Sequence, residues 1–292
     1  MPSTRDIRRR IKSVKNTAQI TKAMQMVAAS KMRKAQQSAI AGRPYAEVMN
    51  NVLSEMAAAA GDVKHPLMEE RTGSNRAVLI VSSDKGLCGG LNTNLLREAN
   101  RFDRNTTVFV TAGRKASQFV ARTKRQLKAE FTYKDSPQFS EARAISKFLR
   151  ELFLSGAVDR VDVLFTNFIS TLNLKPEVMP LLPIGEIKAF ATDVRGESMS
   201  AELSRSGTEF IFEPNAESVM GAMLPHYLNF QIYQVLLEAR ASEQSARMVA
   251  MKNATDNAQQ LIKDLTLEYN KMRQAAITKE LLEISSAAMA VG

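Results

Sequence analysis

Between an apolar run ending at Val81 and a helical pattern near Asn94 lies Ser82-Ser83-Asp84-Lys85-Gly86-Leu87-Cys88-Gly89-Gly90-Leu91-Asn92, a loop carrying hydroxyls, a carboxylate, an amine, a thiol and three glycines. In a doubly wound domain, a loop at this place wraps backbone N–H groups around a phosphate. The glycine spacing does not match that chemistry. Gly86, Gly89 and Gly90 do not form GxGxxG, and Lys85 precedes its glycines where GxxxxGK[ST] puts the lysine after them. A nucleotide site therefore rests on position alone, and the plainer reading is that the glycines permit a tight turn and close helix packing.

Cys88 would need a neighbouring base to act as a nucleophile. His65 and His226 are the two histidines of the chain; neither is near it in sequence, and each adjoins a proline. A small, partly buried thiol is the simpler reading. No Cys/His group has zinc-ligand spacing, and no carboxylate pair sits at an apolar strand end where its pKa would move. No catalytic residue, metal ligand or cofactor is expected. One cysteine leaves no internal disulfide, as suits a reducing compartment.

The elements that would hold this loop are alternating strands and helices. Ala77–Val81, Thr106–Thr111 and Val161–Thr166 are short apolar or β-branched runs, while Asn94–Arg101, Arg114–Arg122 and Ser140–Leu154 carry helical spacing. That order predicts a mainly parallel sheet with helices on its faces. Leu172–Leu181 and Glu209–Phe212 are further strand candidates, the first an edge strand because of Pro176, Pro180 and Pro183. Thr192–Gly207, rich in Ser and Gly, reads as a loop.

Both chain ends follow a different rule. Ile7, Ile11, Val14, Ala18, Thr21, Gln25, Ala28, Met32, Ala35 and Ala39 recur at alternating four- and three-residue steps, and so do positions from Met220 through Gln234, Met248, Thr255 and Leu265 to Ala276. A repeat of about 3.5 residues imposes a left-handed supercoil. Ala, Thr, Gln and Met along the seam favour a slim, close pairing over a thick apolar core. A helix from near Tyr227 to near Ser286 would span roughly 90 Å, whereas a compact domain of this length has a radius of gyration of about 20 Å. An antiparallel coiled coil whose longer helix overhangs is the simplest arrangement; two helices folded back on a globular body is the other.

Charge is unevenly placed. Of the net +10, the first helix supplies most: Arg5, Arg8, Arg9, Arg10, Lys12, Lys15, Lys22, Lys31, Arg33 and Lys34 stand against Asp6 alone. Such a helix suits nucleic acid, anionic lipid or an acidic protein surface. The segment has no aromatic residue for stacking on bases and no Trp, Phe or Leu face for lipid insertion. After Glu283 no charge remains, and Ile284 to Gly292 carries small uncharged side chains. Either the terminus frays or an apolar collar from another protein receives it. No apolar run is long enough to cross a membrane. The start, Met1-Pro2-Ser3-Thr4-Arg5, enters the helical pattern at once, with no leader expected.

Three separated segments, Ile20-Thr21-Lys22-Ala23-Met24-Gln25-Met26-Val27-Ala28-Ala29-Ser30-Lys31-Met32, Asp84-Lys85-Gly86-Leu87-Cys88-Gly89 and Ile277-Thr278-Lys279-Glu280-Leu281-Leu282-Glu283-Ile284, together resemble the γ subunit of bacterial F-type ATP synthase. The likeness covers essentially the whole chain. It implies an α/β fold plus long helices: a left-handed antiparallel coiled coil of the terminal helices (1–60 and 214–292) and a central Rossmann-like domain (75–213). By the same resemblance the chain is a non-catalytic rotor. It carries torque between proton flow through a membrane ring of c subunits and catalytic sites on β subunits, with three α and three β subunits around it, ε at its foot, no nucleic acid partner, and a role in regulating ATPase activity. The implied place is peripheral, on the cytoplasmic side of a bacterial inner membrane.

Carried over residue by residue, the resemblance puts Arg8, Arg9, Lys22, Met24 and Lys31 against an acidic lever of a β subunit, with Arg247, Gln274, Thr278 and Glu280 forming the complementary lines. Ile284, Ala287, Ala288, Met289 and Val291 would form an apolar bearing tip. Ser286 stands where relatives carry Gly. Gly42 and Pro44 would break or kink the first helix, although the resemblance carries it on to about Met56. A nucleic-acid-binding coiled coil and a Rossmann-type nucleotide enzyme are the two rival function classes.

Overall fold

The computed structural model describes residues 3–59, 65–184, 213 and 215–291. Its elements run α1 (Thr4–Ala41), α2 (Arg43–Ala59), β1 (Arg76–Val81), α3 (Leu91–Ala99), β2 (Thr107–Ala112), α4 (Arg114–Arg122), β3 (Leu127–Phe131), α5 (Phe139–Leu154), β4 (Arg160–Phe168), β5 (Leu174–Leu182) and α6 (Ala216–Val291). The segments Thr192–Gly207 and Glu209–Phe212, expected as a loop and a strand, lie outside the described residues. The chain divides into two compact units, Met1–Ala28 with Arg247–Gly292, and Ala29–Ala246.

In the larger unit the sheet order is β3-β2-β1-β4-β5. β1 pairs in parallel with β2 and β4, β2 with β3, and only β5 runs antiparallel, against β4. β5 is an edge strand, as its prolines require. Alternation along the strands divides the core in two. Val78, Ile80, Phe109 and Leu164 face α3 and α4, meeting Leu95, Ala99, Ala116 and Val120. Ala77, Leu79, Val81, Val161, Val163 and Phe165 face the other way, into a cluster with Ile145, Leu149 and Phe153 of α5, Met49 and Leu53 of α2, and Leu224 to Ala239 of α6. β1, buried between both layers, has only apolar residues after Arg76, as a central parallel strand should.

β3 has no counterpart in the sequence reading. Its Leu-Lys-Ala-Glu-Phe is half exposed at the sheet edge, so it lacks the continuous apolar run that marked the buried strands. The first helix does break at Gly42. Because Pro44 then falls in the first turn of α2, where its missing N–H has no partner to lose, the helix resumes at once, and Ala46 N–H still bonds the Gly42 carbonyl at 3.1 Å. Directionality follows from pairs within this unit. A Cβ on Gly42 would touch Gln234, while Tyr45, further along, meets Phe230 and His226. Numbers rise on one helix and fall on the other, so the pairing is antiparallel. α6 starts at Ala216, well before Tyr227, and runs through Pro225.

In the smaller unit, α1 begins with a reciprocal cap. Ser3 Oγ accepts from Asp6 N–H at 3.2 Å and Asp6 Oδ2 accepts from Ser3 N–H at 3.2 Å. Ser3 Oγ also donates to Asp6 Oδ2 at 2.8 Å, and this bond together with the one from Ser3 N–H holds the Asp6 carboxyl below its ordinary range. Ile7, Thr21 and Ala28 are buried on α1 and Met251, Thr255, Ala258 and Leu265 on α6, all at expected seam positions. At the centre, Thr21 Oγ1 and Thr255 Oγ1 lie 2.7 Å apart, and Thr255 Oγ1 donates to the Met251 carbonyl at 2.8 Å. Stepping seventeen residues back from Thr21 reaches Thr4, the first residue of α1, and seventeen forward from Thr255 reaches Met272. Met272 is the last half-buried side chain of α6. Every described side chain from Arg273 to Ser286 is exposed, Ala276 included, because α1 has run out. The seam therefore stops one heptad step before the pattern in the sequence does.

The threonine pair generates a prediction. Thr21→Val and Thr255→Val should each cost about 1 kcal/mol, and the double variant should cost less than the two together by about 0.5 kcal/mol or more, since no lone hydroxyl is left in the seam. Urea unfolding of the purified chain measures this, and strictly additive costs would show that the hydroxyls act independently.

Candidate functional site

The loop from Ser82 to Asn92 is locked from within. Ser83 Oγ donates to the Lys85 carbonyl at 2.8 Å, and Asn92 Nδ2, in the first turn of α3, donates to Ser83 Oγ at 2.8 Å and to Cys88 Sγ at 3.2 Å. Cys88 is fully buried, more so than the partly buried thiol expected. Leu87 and Gly89 take positive φ, 64° and 57°, which glycine tolerates freely and leucine only under strain. The strained Leu87 side chain points outward, exposed.

The donors at the start of α4 that could cradle a phosphate are used by the chain itself. At the start of α4, Arg114 N–H donates to Asp84 Oδ1 at 3.0 Å, Lys115 N–H to the Ser83 carbonyl at 3.1 Å, and Ala116 N–H to Ser82 Oγ at 2.9 Å. Asp84 thus holds the position an anion would take at that helix N-terminus. Gly113, at φ 105°, packs so closely that a Cβ would stand 2.1 Å from the Ser82 carbonyl oxygen. Above the strand ends, Tyr133 O–H donates to the Ser82 carbonyl at 3.0 Å, Ser242 Oγ to the Thr166 carbonyl at 2.9 Å, and Ser245 Oγ to the Thr171 carbonyl at 3.0 Å. α6 therefore lies over the carboxyl end of β4 and Tyr133 caps that of β1, at the crevice where a doubly wound sheet binds ligands.

The histidines are engaged elsewhere. His65 Nδ1 accepts from Leu67 N–H at 3.1 Å, and burial lowers the His65 pKa. His226 packs against the rings of Tyr45 and Phe139. Asp162, wholly buried on β4, is held between Arg76 at 3.1 Å and Arg160 at 2.9 Å, at the amino ends of the strands and so away from the loop. Among the described residues no group of His, Cys, Asp and Glu could hold a metal ion, and no helix is long and apolar enough to cross a membrane.

The surface positions expected to meet partners fall into separate sets. On α1, Arg8, Arg9 and Lys22 are exposed and Met24 is half-buried; Lys22 Nζ reaches Gln25 Oε1 at 3.4 Å. Ile20 and Val27, 60% and 55% exposed, share one helix face with Met24 and Lys31. Neither was among the expected contact residues, and an apolar line away from the seam is the signal for them in the sequence. Lys31 Nζ is bonded to Asp135 Oδ2 at 2.6 Å. On α6, Arg247 is half-buried and Gln274, Thr278 and Glu280 are exposed. Thr278 Oγ1 donates to the Gln274 carbonyl at 3.0 Å, so these two share a face, while Glu280, two residues further, projects from another. Ile284 is 66% exposed; Ala287, Ala288, Met289 and Val291 continue the helix, but their side chains lie outside those described.

Comparison with known proteins gives one answer along the chain. A family model described as ATP synthase matches residues 3–291. The ATP synthase gamma chain of Opitutus terrae is 47% identical over 99% of both chains, and that of Methylacidiphilum infernorum 46% identical over the full length of each. Among solved structures, a central stalk and c-ring chain of Tetrahymena thermophila mitochondrial ATP synthase superposes with a TM-score of 0.61 at 27% identity, covering 80% of this chain and 99% of its own. A chain of Euglena gracilis mitochondrial ATP synthase shares the fold, with a TM-score of 0.68 at 18% identity, covering 99% and 94%.

Tyr133 reports on the packing above the loop. Burial raises its pKa far above the ordinary 10.0, and the negative charge of Glu243 adds to the rise. The folded chain keeps the phenol proton that the unfolded chain releases, so this contribution is complete below pH 10 and is lost above it, by up to about 1.4 kcal/mol per pH unit. Tyr133→Phe should therefore be less stable by about 1 kcal/mol at neutral pH, where a buried carbonyl loses its donor. Above pH 10 the gap should close, as denaturant midpoints across pH will measure; a constant gap would place the titration elsewhere.

Proposed function

The chain belongs to the ATP synthase gamma-chain family, and on that premise we propose that it works as a non-catalytic shaft whose terminal helices turn within a sleeve of partner subunits. It is the central-stalk rotor subunit of an F-type ATP synthase. The sleeve is three α and three β subunits in alternation, with the catalytic sites on β; the ε subunit and the ring of c subunits bind at the foot, which makes the chain peripheral to the membrane, on the cytoplasmic side in a bacterium. The three-part division into 1–60, 75–213 and 214–292 follows the order of the chain; by packing, residues 29–59 and 216–246 of the terminal helices belong with the foot.

One observation carries this reading. Among the described residues α6 has no partner helix beyond Met272, and yet it exposes Ile277, Leu281, Leu282 and Ile284. Such a surface is stable in water only at a cost of about 25 cal/mol per Å² left uncovered, and a surrounding sleeve removes that cost. The absence of charge past Glu283 suits a bearing, because apolar contact has no direction to break when one surface slides over another. Ile284, Ala287, Ala288, Met289 and Val291 form that bearing.

Along α1, the face bearing Ile20, Met24 and Val27 with Arg8, Arg9, Lys22 and Lys31 near it meets the acidic lever of β, and Arg247, Gln274, Thr278 and Glu280 meet β from α6. Lys31 already has its ammonium bonded to Asp135; the other contacts break and reform as the shaft turns. Exposed ion pairs of about 0–1 kcal/mol orient the lever without pinning it.

Met24→Lys tests the assignment. An added cation on the β-facing line should strengthen one resting contact and lower ATP-driven proton pumping by severalfold, while ATP hydrolysis and assembly of the complex change by less than about twofold. The two rates are measured in membrane vesicles together with the amount of chain retained; equal loss of pumping, hydrolysis and assembly would remove Met24 from the moving contact.

A further inference from the structure

One side chain is gripped by both long helices. Asp135, in the loop between β3 and α5, accepts from Lys31 Nζ of α1 through Oδ2 at 2.6 Å and from the Arg240 guanidinium of α6 through Oδ1, and its backbone carbonyl accepts from Arg240 Nε at 3.1 Å. Arg240 is 4% exposed. Its other arm donates to Glu243, and the guanidinium lies 5.4 Å over the Tyr133 ring, whose hydroxyl is bonded to the Ser82 carbonyl at the end of β1. Two more bonds leave the same stretch of α6, from Ser242 to the Thr166 carbonyl and from Ser245 to the Thr171 carbonyl.

We propose that Asp135 is a torsional key: it fastens α1 and α6 to the loop end of the sheet so that rotation passes between the helices and the sheet without slip. The inference rests on the rotor function above. Apolar packing resists separation of a helix from a sheet but offers little resistance to roll, because apolar contact has no preferred direction. Directional bonds supply that resistance when they leave the helix at different angles. Arg240 and Ser242 project about 200° apart around α6, and Ser245 about 300° further on, so no roll of the helix keeps all three bonds. α1 is denied independent roll by Lys31, which holds the same carboxylate.

The key differs from the β-facing contacts in strength and permanence. It is charge-assisted, with one partner desolvated, which makes it stronger than an exposed pair. It joins parts that move together. Asp135 itself stands at the surface, with its side chain 64% exposed. Removing it leaves Arg240 with Glu243 and the Tyr133 ring, so no buried charge is orphaned and the fold survives the substitution.

The test uses membrane vesicles carrying the whole complex with Asp135→Ala or Asp135→Glu. Asp135→Ala should hydrolyse ATP within about twofold of the unsubstituted complex, yet hold a steady proton gradient about half as high or less, because slip grows with load. Asp135→Glu, which keeps the charge, should restore most of the gradient. An undiminished gradient in Asp135→Ala overturns the proposal. So do parallel losses of gradient, hydrolysis and retained chain that Asp135→Glu does not rescue, because a residue needed only for folding would behave that way. Absence of any gradient in vesicles with the unsubstituted chain would instead remove the rotor function and the key with it.

Discussion

Everything in this molecule depends on one helix meeting two incompatible packing demands. From Leu224 to Ala239, α6 supplies core to an α/β unit and carries Leu, Ile, Val and aromatic residues. From Met251 onward it pairs with a single helix and carries Ala, Thr and Met at the contact. Large side chains suit a sheet face, where spacing between layers is set by the residues that fill it. Small ones suit a two-helix seam, where close approach brings backbone near backbone. A continuous helix cannot change its spacing abruptly, and the change is made between residues 240 and 245, which are all buried and mostly polar. Arg240, Ser242 and Ser245 spend their polar groups on the ends of strands and loops, so their burial is paid for by hydrogen bonds and not by apolar contact.

Beside the same helix, the chain's own polar groups occupy part of the crevice at which doubly wound sheets bind ligands. Such sheets present free N–H groups at helix starts because a phosphate will fill them. In this chain the Asp84 carboxylate and the Ser82 and Ser83 oxygens fill them at α4, and Asn92 ties the first turn of α3 to the loop. Gly113 is needed because the chain at β2 passes against the Ser82 carbonyl. Of the loop's own glycines only Gly89 takes a positive φ, while a Cβ at Gly86 would meet nothing within 4 Å and one at Gly90 only the Asn94 side chain, so the close approach lies at Gly113 and not in the loop.

Much of this could be read from residue order. The heptad positions from Ile7 to Ala35 and from Met248 to Leu265 are buried or half-buried as the 3.5-residue rule requires, whereas from Tyr227 to Ser245 nearly every residue of α6 is buried, on or off the heptad, because that stretch is core of the α/β unit. Strands β1, β2 and β4 were legible because burial on both faces demands unbroken apolar runs. β3 was not, since an edge strand with one exposed face looks like loop. Nor was the role of Asp135: a carboxylate in a loop carries no periodic signal, and its partners Lys31 and Arg240 lie about a hundred residues away on either side. The end of the seam at Met272 also escaped, because heptad spacing shows where a helix could pair and not how far its partner reaches.

A rotor needs two kinds of polar contact, and their chemistry separates them. A contact that changes partner at every step must be cheap to break, which is the property of solvated ion pairs between flexible side chains. Arg8, Arg9 and Lys22 have that character: long, exposed, and on a helix whose positive charge attracts an acidic surface from a distance of about one Debye length, roughly 8 Å at physiological salt. A contact inside the rotating body has the opposite requirement, because any compliance there stores or loses part of each step. Lys31 stands where these requirements meet. It shares a helix face with Ile20, Met24 and Val27, yet its ammonium is committed inward, to Asp135. Its ammonium and that carboxylate form a pair with no net charge, so Lys31 belongs with the contacts inside the rotating body and not with the solvated cations of α1.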